Sequence, residues 1–483
     1  MMSFVRRSQM KVADLLLSAC KGNEESMKNI MRIAVKHLSC IDSVANTADN
    51  FNRTALHFAI RYRVVQAFTL LLQCKSLKKD AADNAGRTAL FWCVKCHDMD
   101  MFKALLDFPD VFKGFSFPDD KFNVNSCDRN GFSILHHALC FSDDVVQLLL
   151  TSKNINVNAQ DRRGCSPLHT TISIHSFTCT HALLSHADID VNAFDTDVGT
   201  PLHWAVLGED RVFSLLLSHN RIDVNAKDPN GYTPLLLAVD ESNTDKVDKL
   251  LACPSVKVNE EVNGVTALHL AVERGSVHMV KALLAHPNID VNAQDSYGST
   301  PLHVAIANSP VVEANMGVLK EILITPNLCV NSKDKEGKTA FHLAITYMCT
   351  TKAAMLLDYP GLDVVTVDAD GMTPLQDAKK AYMKANDPSL DSHLREEYNK
   401  MGVIVSKIRS KVMLRMWKRH YHASFRHPSI ASYWFVEAAK RSHAPPDEHG
   451  RAGSAYRATE THFCEVQEKK KQRLCGPSTS QNA

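Results

Sequence analysis

The stretch Asp295-Ser296-Tyr297-Gly298-Ser299-Thr300-Pro301-Leu302-His303-Val304-Ala305 has counterparts along most of the chain. Its second half returns as Thr200-Pro201-Leu202-His203-Trp204-Ala205, as Thr233-Pro234-Leu235 and as Thr266-Ala267-Leu268-His269-Leu270-Ala271, 33 or 34 residues apart. Ten copies can be aligned on one apolar residue: Leu56, Leu90, Leu135, Leu168, Leu202, Leu235, Leu268, Leu302, Phe341 and Leu375. Thr or Ser stands two places earlier in all ten copies, as expected of an N-cap whose hydroxyl answers an unpaired amide of the first helical turn. Pro follows in five copies, where a missing N–H costs nothing. A helix is therefore predicted to begin at each phrase.

Eight copies carry Gly two residues before the Thr or Ser: Gly86, Gly131, Gly164, Gly231, Gly264, Gly298, Gly337 and Gly371. A turn with positive φ is predicted there, and Asn52 in the first copy is a residue that tolerates one. The fifth copy has Val198 at that place and its glycine at Gly199, so its turn is expected to close differently. Behind each phrase lies a second apolar run, such as Val212 to Leu217 or Met279 to Leu284, with one face to bury. Two short helices and a projecting turn cannot bury their apolar faces alone, so neighbouring units must stack into an all-α solenoid.

The pattern Asp-x-x-Gly-x-Thr-Pro-Leu-His-x-Ala, met nearly in full at Asp161 to His169 and Asp295 to His303, resembles the ankyrin repeat. The resemblance covers roughly residues 13 to 385, and implies helix-turn-helix units with projecting β-turn fingers, a protein-binding role and no reaction. Residues 1–40 keep a helical apolar pattern but lose the phrase, as expected of a degenerate capping unit; 41–385 form the array, with insertions near 107–121 and 308–317; 386–443 form a basic helical extension; 444–483 are expected to be disordered. His is replaced by Phe91, Leu236 and Gln376 in copies two, six and ten.

Composition agrees with a folded body. The chain has 483 residues, 45% apolar and 22% charged, enough for a large core. No run of about 18 uncharged apolar residues offers a membrane span, and Met1 to Met10 lacks the apolar stretch of a signal peptide. Fourteen cysteines, thinly spread, fit reduced core positions and a cytoplasmic or nuclear setting. Cys93-Val94-Lys95-Cys96-His97 spells a haem-attachment motif, yet Cys93 aligns with Ala59, Ala205 and Ala305, so a small buried thiol is expected. Seven of the 23 histidines (His57, His136, His169, His203, His269, His303 and His342) fall on the phrase, and the resemblance implies that they bond neighbouring turns. No phosphate-binding loop, metal spacing or nucleophile turn accompanies the repeats. No enzyme, cofactor, metal or specific nucleic-acid partner is expected.

Binding residues are sought where one copy departs from the others. Phe194 replaces Gln160, Lys227 or Gln294 on the turn row, as an interface anchor or as packing on the neighbouring turn. Arg162, Arg163, Trp204, Lys227, Tyr232 and Tyr297 complete the set, on an expected concave face that would hold a protein or an extended peptide. Asn158, Asn192, Asn225, Asn259, Asn292 and Asn331 each follow Val and have Leu eight residues earlier. That resembles the context in which ankyrin-repeat proteins are hydroxylated on Asn; an Asn serving only the inter-repeat turn is the alternative.

Charge divides at the end of the chain. From residue 403 onward 15 Lys and Arg face 6 Asp and Glu, a net +9, which leaves −7 on residues 1–402 of a chain whose total is +2. Leu394, Tyr398, Met401, Val405, Ile408, Val412 and Met416 recur at helical spacing, and Lys407, Arg409, Lys411, Arg415, Trp417, Lys418 and Arg419 lie on the same predicted helix. Such helices cap arrays, enter calmodulin-like grooves or lie on anionic membranes. Lys469 to Arg473 has the composition of an import signal. An adaptor or scaffold is thus the leading expectation; a regulator of a nuclear, transcription-related partner and a substrate-recruiting subunit of a larger enzyme are the alternatives.

Overall fold

The computed structural model describes residues 45–106 except 47 and 75, then 122–308, 313–384 and 392–423. The expected capping unit at 1–40, the insertion at 107–121, residues 309–312 of the second insertion and the tail at 444–483 lie outside the described residues. The chain divides into two units, Met1–Lys352 and Ala353–Ala483.

The first unit is built from helix pairs that follow the phrase. In order they are α1 (Ala55–Arg61) with α2 (Val65–Leu72), α3 (Ala89–Cys96) with α4 (Met99–Leu105), α5 (Ile134–Phe141) with α6 (Asp143–Leu150), α7 (Pro167–Ser173) with α8 (Phe177–Leu184), α9 (Pro201–Leu207) with α10 (Asp210–Leu217), α11 (Pro234–Asp240) with α12 (Thr244–Leu251), α13 (Ala267–Glu273) with α14 (Val277–Leu284) and α15 (Pro301–Ala307) with α16 (Glu313–Leu323). The last first-type helix of this unit is α17 (Ala340–Thr346), and α18 (Thr350–Asp358) straddles the boundary. Each first helix packs on the next first helix, and from α6 to α16 the second helices do the same. The helices run seven to eleven residues, too short to stand alone in water, so stacking supplies their stability. The core is the phrase itself: Leu90, Leu135, Leu168, Leu202, Leu268 and Phe341 are all 2% exposed or less. Truncating one such leucine to alanine costs about 2 to 5 kcal/mol.

The predicted turns take the predicted backbone. Gly86, Gly131, Gly164, Gly231, Gly264, Gly298, Gly337 and Gly371 all have positive φ, and Asn52 reaches +62°. At most of them a Cβ would also collide with the backbone of the following turn, as at Gly264, where it would lie 2.7 Å from Asp295. Gly199 closes the odd turn at φ +111°, with Asp195 Oδ1 accepting from the amides of Asp197, Val198 and Gly199. One finger forms a small hairpin, β1 (Glu261–Val262) antiparallel to β2 (Val265–Thr266). Asn263 and Gly264 both have positive φ there, as a two-residue type I′ turn requires.

The second unit contains α19 (Pro374–Lys384) and the long α20 (Ser392–Ala423), which pack together. Met401, Ile404, Val405 and Ile408 are buried, on the face the spacing predicted.

Candidate protein-binding face

Successive units are tied by the polar residues of the phrase. In the first unit the backbone N–H and hydroxyl of the Thr or Ser meet His Nδ1, for example Thr200 N to His203 Nδ1 at 3.2 Å and Thr200 Oγ1 to the same atom at 2.8 Å. Because Nδ1 accepts, Nε2 carries the proton and donates across the interface. His57 reaches Arg87 O, His136 Cys165 O, His169 Gly199 O, His203 Tyr232 O, His269 Ser299 O and His303 Lys338 O, at 3.0 to 3.2 Å. Burial holds all six imidazoles below the ordinary histidine value, His136 at about 4. They are neutral structural donors at physiological pH.

A second tie comes from asparagine. Asn158 Nδ2 donates to Asp188 O while its Oδ1 accepts from Asp190 N, and Asn192, Asn225, Asn259 and Asn292 repeat the pattern one unit on. Asn46 and Asn125 belong to the same ladder and were missed by the sequence reading: Asn125 follows Val124 but has Phe117 where the others have Leu, and Asn46 follows Ala45. Both ends of each amide serve the turn.

Two further ties leave no trace in the phrase. Lys246, 2% exposed, donates to Val206 O and Gly208 O at 2.7 and 2.6 Å, closing the carboxyl end of α9. Lys352, 1% exposed, does the same for Ala305 O, Ile306 O and Asn308 O beyond α15. Burial lowers both ammonium pKa values. A lysine inside a second-helix run reads as a surface residue, so the sequence gives no signal for this.

The candidate face is what the ties leave outside. Phe194 is 45% and Tyr297 74% exposed on the turn row, and Arg162 is exposed on the turn of the unit before Phe194. Arg163 and Lys227, also exposed, pair with Asp197 at 3.0 Å and Glu260 at 2.9 Å. Tyr232 is half-buried and its carbonyl takes the His203 bond. Trp204 is half-buried too: its indole N–H donates to Asp195 Oδ2 at 2.7 Å and its ring lies edge-on to His169. Trp92 repeats this contact with Asp83 at 3.2 Å. Burial raises the Asp83 and Asp195 carboxyls, but the N–H donors around each outweigh it, and both remain below the usual range.

Signs of chemistry resolve into packing. Cys93 is buried in α3 and its thiol is pushed well up by burial; Cys165, desolvated beside Asp195, is pushed up to about 12. Neither is a thiolate. Among the described residues no group of His, Cys, Asp and Glu could hold a metal ion, and no helix is long and apolar enough to cross a membrane. In α20, Lys411 donates to Leu357 O and Arg415 pairs with Asp363, within the second unit, while Lys407 and Arg409 are exposed. Trp417, Lys418 and Arg419 lie on the same helix, but their side chains fall outside the described residues.

A family profile described as "Ankyrin repeats (3 copies)" matches residues 15–113, 74–161, 108–195, 135–228, 194–262 and 235–314. Over half of the chain is covered, and the protein belongs to the ankyrin-repeat family. Among solved structures, it is similar to the ankyrin repeat domain of Bcl-3, described as a unique member of the IkappaB protein family, at 27% identity over 49% of this chain and 98% of that one, with a TM-score of 0.42. It is also similar to the ankyrin repeat protein EF0377, at 23% identity over 43% of this chain and 100% of that one, with a TM-score of 0.39. No curated protein matches the chain.

Proposed function

We propose that this protein is a non-catalytic adaptor or scaffold whose first unit holds a protein partner against the face formed by its first helices and turns. One observation carries this: the repeated Leu, His and Thr or Ser of the phrase are buried, whereas the exposed pair of residues at the tip of the turn changes from unit to unit, from Arg129 and Asn130 through Arg162 and Arg163 to Thr196 and Asp197 and to Ser296 and Tyr297. Repeated buried positions build a scaffold; varied exposed ones give it a specific surface. Within that surface Phe194, Tyr297 and Arg162 are of the types that anchor interfaces.

The test is affinity capture with the full chain and with a Phe194→Ala, Arg162→Ala double variant, both checked for an unchanged circular dichroism spectrum. Partners lost with the double variant support this face; partners that persist on it move the site elsewhere. A cytoplasmic setting, with nuclear entry through Lys469 to Arg473, belongs to the same proposal, and imaging of a Lys469→Ala, Lys470→Ala, Lys471→Ala variant tests it. Hydroxylation of Asn158, Asn192, Asn225 and Asn292 is proposed as a modification of the ladder, which would have to open locally to admit an enzyme. A gain of one oxygen on their peptides by mass spectrometry tests it.

A further inference from the structure

The exposed residue five places after the phrase leucine changes character in order along the stacked first helices. It is Arg61 on α1, Lys95 on α3, Cys140 on α5, Ser173 on α7, Leu207 on α9, Asp240 on α11 and Glu273 on α13; after this run of seven come the uncharged Ala307 on α15 and Thr346 on α17. All are exposed except Asp240, which is partly covered by its ion pair with Arg274. Because each of these helices packs on the next, the seven positions form one row. The row runs from cations, through uncharged and apolar residues, to anions.

Neighbouring residues reinforce each section. At the cationic end Trp92 lies under three charges: Arg61 at 5.8 Å, Arg87 at 5.3 Å and Lys95 at 5.9 Å from its ring centroid. Arg87 is paired with Asp83, but Arg61 and Lys95 have no carboxylate within ion-pair distance among the described residues. Their charged heads lie over the indole ring, so they are fixed without being neutralised. In the middle section Phe141 (45% exposed), Ile174 (39%) and Leu207 (52%) are exposed at the carboxyl ends of three consecutive first helices. At the far end Glu241 and Glu273 are exposed and unpaired among the described residues.

We infer that this row binds an extended peptide segment whose own charges run the opposite way: an acidic end over α1 and α3, apolar residues over α5 to α9, and a basic end over α11 and α13. This rests on the protein-binding reading above and gives that partner a chemistry and a direction. Length follows from the stacking. Six helix-to-helix steps of about 10 Å make roughly 60 Å, which an extended chain at about 3.3 Å per residue covers with roughly 18 residues. Complementary charge at both ends discriminates against a reversed partner more than it adds affinity.

The probe is a dye-labelled peptide of about that length with glutamates at one end, spaced leucines in the middle, lysines at the other end and a benzophenone at the acidic end; a scrambled peptide of equal composition is its control. With the full chain at low salt, the ordered peptide is expected to bind at least about tenfold more tightly than the scrambled one, with the advantage shrinking as salt rises. Cross-links from the acidic end should fall within residues 53–97. Reversing the row (Arg61→Glu, Lys95→Glu, Asp240→Lys, Glu273→Lys) should move the cross-links to residues 234–274. Equal binding of the two peptides overturns the inference. So do cross-links that do not move, or duplex DNA that displaces the ordered peptide and binds more tightly. If capture on the Phe194 and Arg162 face succeeds while the peptides are not distinguished, the scaffold reading stands and the directional row alone falls.

Discussion

Replacing His136 with glutamine should exchange stability at neutral pH for stability in acid. The imidazole is held neutral by burial, with a pKa of about 4 against 6.5 for a free histidine. A folded value below the unfolded one means that the unfolded chain takes up the proton first. Stability from this group is therefore full above the unfolded value and is lost as pH falls from 6.5 toward 4. Linkage puts the loss at about 2 kcal/mol near pH 5 and about 3 kcal/mol once both states are protonated. Glutamine does not titrate, and Gln376 shows that it serves the cap: its Oε1 accepts from Thr373 N at 2.7 Å and from Thr373 Oγ1 at 2.8 Å. What His136→Gln gives up is the bond to Cys165 O, about 1 kcal/mol. The variant should thus be less stable than the parent by about 1 kcal/mol near pH 7.5 and more stable by a similar amount near pH 5. Urea midpoints at the two pH values, followed by circular dichroism, check it. Parallel pH dependences would show that His136 is not buried neutral and would refute the reasoning.

Other parts of the first unit make their own predictions. Lys246→Met should cost about 2 kcal/mol, because Val206 O and Gly208 O lose their donor while the stem's packing is kept; faster amide exchange confined to α9 to α12 would show it, and unchanged exchange would count against the cap. Gly264→Ala should cost at least about 1 to 2 kcal/mol, since φ is +79° and the new Cβ would lie 2.7 Å from Asp295 backbone atoms; a thermal melt that does not shift would contradict the hairpin turn. Trp204→Phe removes the donor to Asp195 Oδ2 but keeps most of the ring, so a loss of about 1 kcal/mol is expected, and a larger drop in melting temperature for Trp204→Phe than for Phe194→Ala would separate the internal aromatic from the exposed one.

The repeated elements could be read from sequence because each obeys a local rule. A Thr or Ser before an apolar run, a Gly two places earlier and a His three places later each have one physical use at a helix start, and ten copies in register leave little freedom. What escaped was non-local. Lys246 and Lys352 look like solvent-facing helix residues until the preceding unit's helix end is placed above them. Trp204 was singled out because it departs from its neighbours, yet its departure is answered inside the unit by Asp195 nine residues earlier. The row from Arg61 to Glu273 was hidden for a similar reason. Every member is an ordinary surface residue, and only the stacking of first helices brings residues some 33 apart into one line.

The cross-unit ties from His and Asn have a consequence for how such a chain can change over generations. In all of these ties the side chain belongs to the earlier unit and its backbone partner to the later one, about 30 residues on. The receiving group is a carbonyl or amide, which any residue supplies, so a unit need not match the identity of the one before it. Duplication or loss of one whole period therefore leaves a join with the same chemistry as the original, and a gain or loss of part of a period does not. Units can be shuffled like beads on a common thread, while the exposed residues they carry are free to diverge toward new partners.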